Sequence, residues 1–182
     1  AGVYAAARSL GLSHDKIARG FATFEGVKRR QEIRAEVGGV LVIDDFAHHP
    51  TAVRETIEGI RQRYPDRRLW AVFEPRSNTS RRNIHQAEYV KALVHTDLAS
   101  IREPEPHDKV PANQRLNVAA IVSDLQKQRV TADSSPDVAE LVGRVARDAR
   151  PLDLVLVMSN GSFGGFIPSL IAALEQRFAG KG

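Results

Sequence analysis

Val40-Leu41-Val42-Ile43-Asp44-Asp45-Phe46-Ala47-His48-His49-Pro50-Thr51 is the stretch from which the rest of the chain can be read. Four consecutive apolar residues leave no polar face, which marks a strand buried on both sides. The run ends abruptly in two carboxylates, and Pro50 then supplies the fixed φ of a first helical turn. Val53, Ile57, Ile60 and Tyr64 fall on one helical stripe, and Pro65-Asp66 stops it. A buried strand, a polar turn and an amphipathic helix make the repeating unit of a parallel sheet covered by helices.

The same unit recurs downstream. Residues 69–73 form a short buried strand, and 83–95 a helix with Ala87, Val90 and Val94 aligned. Residues 98–101 are a strand, and Pro104, Pro106 and Pro111 make 103–113 a loop. Asn117 caps a helix carrying Val118, Ile121, Val122 and Leu125, and 130–132 is a short strand. Ser135-Pro136 starts a helix with Val138, Leu141, Val142 and Val145. Residues 154–158 are a central strand, and Ile167, Leu170, Ile171, Leu174 and Phe178 line a last helix. Upstream, Gln31, Ile33, Ala35 and Val37 alternate along 30–37, and Gly38-Gly39 reads as a hairpin turn into Val40. The expected fold is α/β: a Rossmann-like, mostly parallel sheet with helices on both faces and one antiparallel N-terminal hairpin strand.

Residues 1–25 fit this scheme poorly. They make two helices with no strand between them, the second capped by Ser13 and ended by Gly26. Ile17, Ala18, Phe21 and Phe24 lie on its buried face. They read as the tail of a preceding domain, with the boundary near 24–30 and the main domain over 26–182.

Composition excludes several classes. A length of 182 residues holds one α/β domain, or one plus a piece of a neighbour. Hydrophobic residues are 42% and charged residues 26%, a globular balance with no apolar run long enough to span a bilayer. Cysteine is absent, which removes disulfides, thiolate metal sites and a cysteine nucleophile. The 20 arginines against 6 lysines give a net charge of +4, but acidic residues are interspersed and aromatics are only 6%. That pattern lacks the concentrated basic stripe of a nucleic-acid binder. The first residues lack the apolar core of a secretion signal, so a cytosolic protein is expected.

In an open parallel sheet, ligands bind beyond the carboxyl ends of the strands. Three segments directly follow predicted strands: 44–51, 74–82 and 159–165. The first sets two carboxylates and two imidazoles before a helix N-terminus, a setting for phosphate or ribose. Hard oxygens with one or two histidines suit magnesium and phosphate better than zinc. The second, Glu74-Pro75-Arg76-Ser77-Asn78-Thr79-Ser80-Arg81-Arg82, offers three guanidiniums suited to a polyanion. The third, Ser159-Asn160-Gly161-Ser162-Phe163-Gly164-Gly165, is a glycine-rich turn without the Gly-Lys-Ser/Thr ending of a P-loop. Gly26-Val27-Lys28-Arg29-Arg30 adds basic side chains at the suspected domain joint.

These strings resemble the Mur ligase family of ATP-dependent amide ligases, which build the peptide stem of peptidoglycan. The pattern F-x-G-V-x-R-R followed by D-D-[FY]-[AG]-H-H-P-T is present as 24–30 and 44–51. It is similar to the entry into the C-terminal domain of the muramate–alanine type. That type continues F-Q-P-H-R, whereas this chain has Phe73-Glu74-Pro75-Arg76. With Ser159–Gly165, the departure resembles the recycling branch, which joins L-alanyl-γ-D-glutamyl-meso-diaminopimelate to UDP-N-acetylmuramate.

The resemblance covers about residues 1–178 and implies the rest. The family's first domain binds the UDP-sugar and its second carries the P-loop. Its third closes over the nucleotide and helps hold the incoming amino acid or peptide. This chain resembles the third plus the last helices of the second. Its partners would then be ATP, UDP-N-acetylmuramate, the tripeptide and its own N-terminal and central domains, with Mg²⁺ and ATP acting in the full-length enzyme. The implied chemistry is phosphorylation of a carboxylate by ATP, then attack by the tripeptide's amine, in the service of cell-wall growth, cell shape and division. Arg30 and Asp45 stand at motif positions that contact ATP, and His48 where the nucleotide phosphates approach. Arg76, Asn78, Arg81 and Ser162 are candidates for the peptide carboxylates, from charge and loop position alone. No catalytic residue and no metal ligand is assigned to the fragment by itself, which is expected to be inactive. Two alternatives stay open: a muramate–alanine ligase domain, and a stand-alone nucleotide- or anion-binding module.

Overall fold

A computed structural model describes residues 2–24, 26–105 and 110–180 of the chain. Part of the expected 103–113 loop, Pro106 included, lies outside the described residues.

The hairpin comes first in the sheet. Strand β1 (Glu32–Val37) pairs antiparallel with β2 (Val40–Asp45) across Gly38-Gly39. Both glycines have positive φ, 55° and 79°, the conformation a two-residue hairpin turn demands. A side chain at Gly38 would also collide with the ring of Phe178, so the turn is fixed from both directions. Ile33 was expected to point inward but is 51% exposed. The register slips between Ile33 and Ala35, and this bulge turns Ile33 out of the alternation.

After β2 come α3 (Pro50–Arg63), β3 (Arg68–Phe73), α4 (Gln86–Leu93), β4 (Leu98–Arg102), α5 (Val118–Lys127), β5 (Thr131–Ser135), α6 (Val138–Asp148), β6 (Asp153–Met158) and α7 (Phe166–Ala179). Two helices, α1 (Gly2–Ser9) and α2 (His14–Ala22), precede the sheet. The strand order is β1-β2-β6-β3-β4-β5, and every pair but β1–β2 is parallel. The last strand in sequence thus lies between β2 and β3, in the middle of the sheet. The expected Rossmann-like α/β class, with its single antiparallel strand, is what the chain adopts.

Alternation along the strands builds two cores. Leu41 and Ile43 face the layer of α3, α4 and α5, among Ile57, Tyr89 and Ile121. Val40 and Val42 face the layer of α6 and α7, among Leu141, Phe166 and Leu170. Central strands buried on both sides therefore read as continuous apolar runs. Trp70 is the one large ring with a polar group in this layer, and its indole N–H donates to Ser100 Oγ at 3.0 Å.

Local signals succeed where a side chain closes a helix end. Ser13 Oγ accepts from Lys16 N and Asn117 Oδ1 from Ala120 N. Others were misplaced. Helix α2 ends at Ala22, capped by Thr23, before Gly26. Only Ile17 on it is buried; Ala18 is exposed, and Phe21 and Phe24 are 53% and 64% exposed. The sheet never reaches that face. Asp137, not Ser135, caps α6, because Ser135 still belongs to β5. A 3-10 turn at Asn83–His85 precedes α4, which buries Tyr89, Val90, Ala92 and Leu93 and leaves Ala87, in its first turn, exposed. Among the described residues no helix is long and apolar enough to cross a membrane.

Candidate functional site

Strands β2, β6 and β3 are neighbours and run parallel, so the three turns that follow them leave the sheet at one rim. The register makes this concrete: Asp45 pairs with Met158, and Met158 with Phe73. Main-chain bonds continue past the strand ends, from Ser159 N to Asp45 O at 3.1 Å and from Glu74 N to Met158 O at 3.0 Å. Strand β6 crosses back from the far edge to this point, so the rim lies at the reversal of strand order where α/β sheets open a crevice.

The β2 turn is held by its own carboxylates. Asp45 is buried, and its Oδ2 accepts from Gln31 N at 2.9 Å while Oδ1 accepts from Ala47 N at 2.7 Å. Thr56 Oγ1 approaches the same Oδ1 at 3.4 Å. Asp44 is also buried, with Arg34 Nη1 at 3.3 Å and Arg29 Nε at 3.5 Å. Burial pushes the Asp44 carboxyl above its ordinary range, and the two arginines offset only part of that. His48 places Nδ1 3.0 Å from Phe46 O, and His48 O in turn accepts from the Tyr89 hydroxyl at 2.7 Å. Burial drives the Tyr89 phenol well above its usual value, so it remains a donor. His49 sits ring to ring with His85, 4.9 Å between centroids.

Arg29 ties the β1 side to the β6 turn. Its Nη2 donates to Ser159 O at 2.6 Å and Gly161 O at 2.7 Å. Arg29 and Arg30 both lie over the Phe46 ring, 5.2 and 5.3 Å from its centroid. Arg30 is exposed and has no carboxylate partner among the described residues. From the other side, Arg76 lies so close over Gly161 that a Cβ there would overlap its guanidinium. The β3 and β6 turns are thus packed together where Arg76 can lie over Gly161 only because that residue has no side chain.

Three hollows follow the rim. One of about 420 Å³ is lined by Arg30, Gln31, Asp45, Glu55, Thr56 and Arg63. A second, about 220 Å³, holds Arg29, Arg34, Asp44, Ser159 and Ser162. The third, about 230 Å³, gathers Glu74, Arg76, Arg81, Arg102 and Glu105. The fold therefore brings Arg30 together with Asp45, and Arg76 together with Arg81. Ser162 is exposed and lines the hollow of Arg29, Arg34 and Asp44, not the one that gathers Arg76 and Arg81. Asn78 is exposed on the β3 turn, and neither it nor His48 lines any of these hollows. The Nε of Arg81 is buried without a partner among the described residues.

Sequence reasoning missed Arg102 and the clamping role of Arg29. The rule that selected the other turns applies equally to the end of β4, and following it one strand further finds Arg102. The contacts of Arg29 span 130 positions and leave no local trace.

The donor set does not suit a resident magnesium ion. Asp44 faces two arginines, and both oxygens of Asp45 accept from protein N–H groups, so neither carboxylate is free for a cation. Among the described residues, no three histidine or carboxylate groups converge as metal ligands. The exposed, unpaired guanidiniums suit anions instead.

Residues 29–161 match the model of the Mur ligase, glutamate ligase domain. The chain is 34% identical over 175 residues to a UDP-N-acetylmuramate–L-alanyl-γ-D-glutamyl-meso-2,6-diaminoheptandioate ligase of Haemophilus influenzae, covering 95% of this chain and 36% of that protein. It is 33% identical over 170 residues to a UDP-N-acetylmuramate–L-alanine ligase of Nostoc punctiforme, covering 93% and 35%. The crystal structure of a murein peptide ligase from Psychrobacter arcticus superposes with a TM-score of 0.71 at 32% identity, over 94% of this chain and 35% of that one. The chain spans about a third of the length of the relatives it matches. On sequence and fold alike, it belongs to the Mur ligase family, as a C-terminal domain of that family.

Proposed function

We propose that this chain is the closing domain of an ATP-dependent ligase that joins L-alanyl-γ-D-glutamyl-meso-diaminopimelate to UDP-N-acetylmuramate. The observation that carries the substrate choice is the hollow beside β3, where Arg76, Arg81 and Arg102 converge. The tripeptide brings several carboxylates to its site, whereas L-alanine brings one. A cluster of guanidinium forks matches the former. The Glu74-Pro75-Arg76 turn, in place of the Gln-Pro-His of the alanine type, adds Arg76 to that cluster. The reading as an alanine ligase rests on the equally similar Nostoc relative. The stand-alone anion-binding module is the weaker reading, because the relatives are about three times as long.

In the ligase reading, ATP supplies phosphoryl transfer to the muramyl carboxylate. The residues of this chain form one wall. Arg30 presents an unpaired charge to the nucleotide, and His48 sets the β2 turn toward it. Asp45 acts by pinning Gln31 and Ala47, which holds the Arg30 backbone beside the hollow. Arg76 and Arg81 hold the amine substrate's carboxylates, with Asn78 and Ser162 at the edge. Mg²⁺ accompanies the nucleotide phosphates and is not assigned to residues here. The wall contributes binding and exclusion of water rather than bond making, so the fragment alone is inactive.

Residues 1–25 are, in this reading, the last helices of the central domain. Exposed Val3, Leu10, Phe21 and Phe24 support that, since such a patch is normally covered. The whole enzyme acts in the cytosol, alongside ATP and UDP-sugars. The test is phosphate release by the full-length protein with ATP, Mg²⁺, UDP-N-acetylmuramate and either amine. Turnover with the tripeptide and not with L-alanine is expected. The reverse preference moves the assignment to the alanine ligase, and phosphate release that depends on neither amine defeats the ligase reading.

A further inference from the structure

One buried charge at the rim has no part in the roles above. Glu74 is 3% exposed, and an ionised carboxylate is costly to bury unless it is paired. Both its oxygens are used. One accepts from Arg102 at the end of β4, and the other accepts the hydroxyl hydrogen of Ser159 at the end of β6. A carboxylate only accepts, so Ser159 points its proton at Glu74 and offers its oxygen to Gly161 N, 2.9 Å away. Arg29 grips the carbonyls of the same turn from the opposite side. One side chain thereby sets the direction of Arg102 and the shape of the turn that supports Arg76 and Ser162.

We propose that Glu74 is a positioning residue for amine-substrate recognition, acting through Arg102 and the Ser159–Gly161 turn. The proposal rests on the reading of this rim as a peptide-binding wall. Without Glu74, the one carboxylate left near Arg102 among the described residues is Glu105, whose side chain is 79% exposed and 3.8 Å away. An exposed pair of that kind fixes little. Glutamine at 74 keeps the volume and one acceptor. With its oxygen turned to Arg102 it presents an N–H₂ to Ser159, whose hydroxyl must swing its own hydrogen away, and the charge that held both partners is gone. The two walls of the hollow then lose their common reference, while the hollow that holds Arg30, lined by none of Glu74, Arg102 and Ser159, keeps its lining.

The experiment compares Glu74→Gln with wild type in the full-length enzyme, with Glu175→Gln, on the exposed face of α7, as a surface control. KM for the amine, KM for ATP, kcat and the melting temperature are measured on whichever amine the wild type uses. Glu74→Gln raises the amine KM about tenfold, as loss of a charge-assisted hydrogen bond does, and leaves the ATP KM within about twofold of wild type. Glu175→Gln changes neither. Ser159→Ala shifts the amine KM in the same direction, and adding it to Glu74→Gln gives less than the product of the two effects. Should Glu74→Gln fail to fold, Arg102→Lys keeps the charge, loses the fork and is read by the same split. An unchanged amine KM, or equal rises for both substrates, overturns the proposal while the ligase reading stands. A wild type that uses neither amine defeats the ligase reading and this proposal with it.

Discussion

Replacing Gly161 with alanine tests the contact between the β3 and β6 turns with a single methyl group. That methyl would stand 1.8 Å from Arg76 Nη1 and 2.6 Å from its Cδ, so the two cannot coexist. Gly161 is not in the left-handed region, so its backbone accepts alanine without strain. Arg76 is exposed, and a flexible exposed side chain yields before the fold does. The cost to stability should stay within about 0.5 kcal/mol, as for a surface change. The functional cost is larger. Displacing a guanidinium from a carboxylate forfeits about 1.5–3 kcal/mol, which is a rise in amine KM of about 10- to 150-fold. The assay is steady-state kinetics of the full-length enzyme, with thermal melting in parallel. Arg76→Ala should give a similar KM, and the double variant should be no worse than either single one. A large drop in melting temperature with unchanged KM, or full additivity of the two variants, would refute the reasoning.

Arg81→Ala should raise the KM for the tripeptide more than that for ATP; the opposite split would reassign Arg81 to the nucleotide. Tyr89→Phe removes the donor to His48 O and should cost about 1–2 kcal/mol in urea denaturation; a change below about 0.3 kcal/mol would mean that water replaces the bond. Asp44 holds its proton more tightly when folded than at its ordinary value of 3.8. Its contribution is therefore most favourable below that pH and falls as pH rises through the raised folded value. The stability of wild type relative to Asp44→Asn should decline across that window when unfolding is followed at several pH values, and a difference that grows with pH would contradict the burial argument.

Most of the sheet was legible because its central strands have no polar face. The run from Val40 to Ile43 and its counterpart in β6 admit no other reading once helices flank them. The rim was legible for the same reason, since a strand that ends in carboxylates, arginines or glycines marks its own carboxyl end. What failed was decided by tertiary packing. The outward turn of Ile33 depends on a bulge, and the burial of Tyr89 rather than Ala87 depends on the face of α4 that packs into the core beside Phe73. Phe21 and Phe24 carry the apolar pattern of a buried face, yet nothing among the described residues covers them. Pairing was legible least of all. Residue type alone does not reveal that Asp45 also holds Gln31 N, or that Glu74 joins Arg102 to Ser159, because each of these bonds joins separate turns or strands.

The central claim is that the turns after β2, β3 and β6 form one wall of a cleft that closes on nucleotide and amine substrate. Hydrogen–deuterium exchange of the full-length protein tests it most directly, with and without a non-hydrolysable ATP analogue, UDP-N-acetylmuramate and the tripeptide. Residues 44–51, 74–82 and 159–165 should gain protection together, while the opposite rim around Gly38, Arg68 and Asp153 stays unchanged. Protection confined to that opposite rim, or absent from all three turns, would contradict the account.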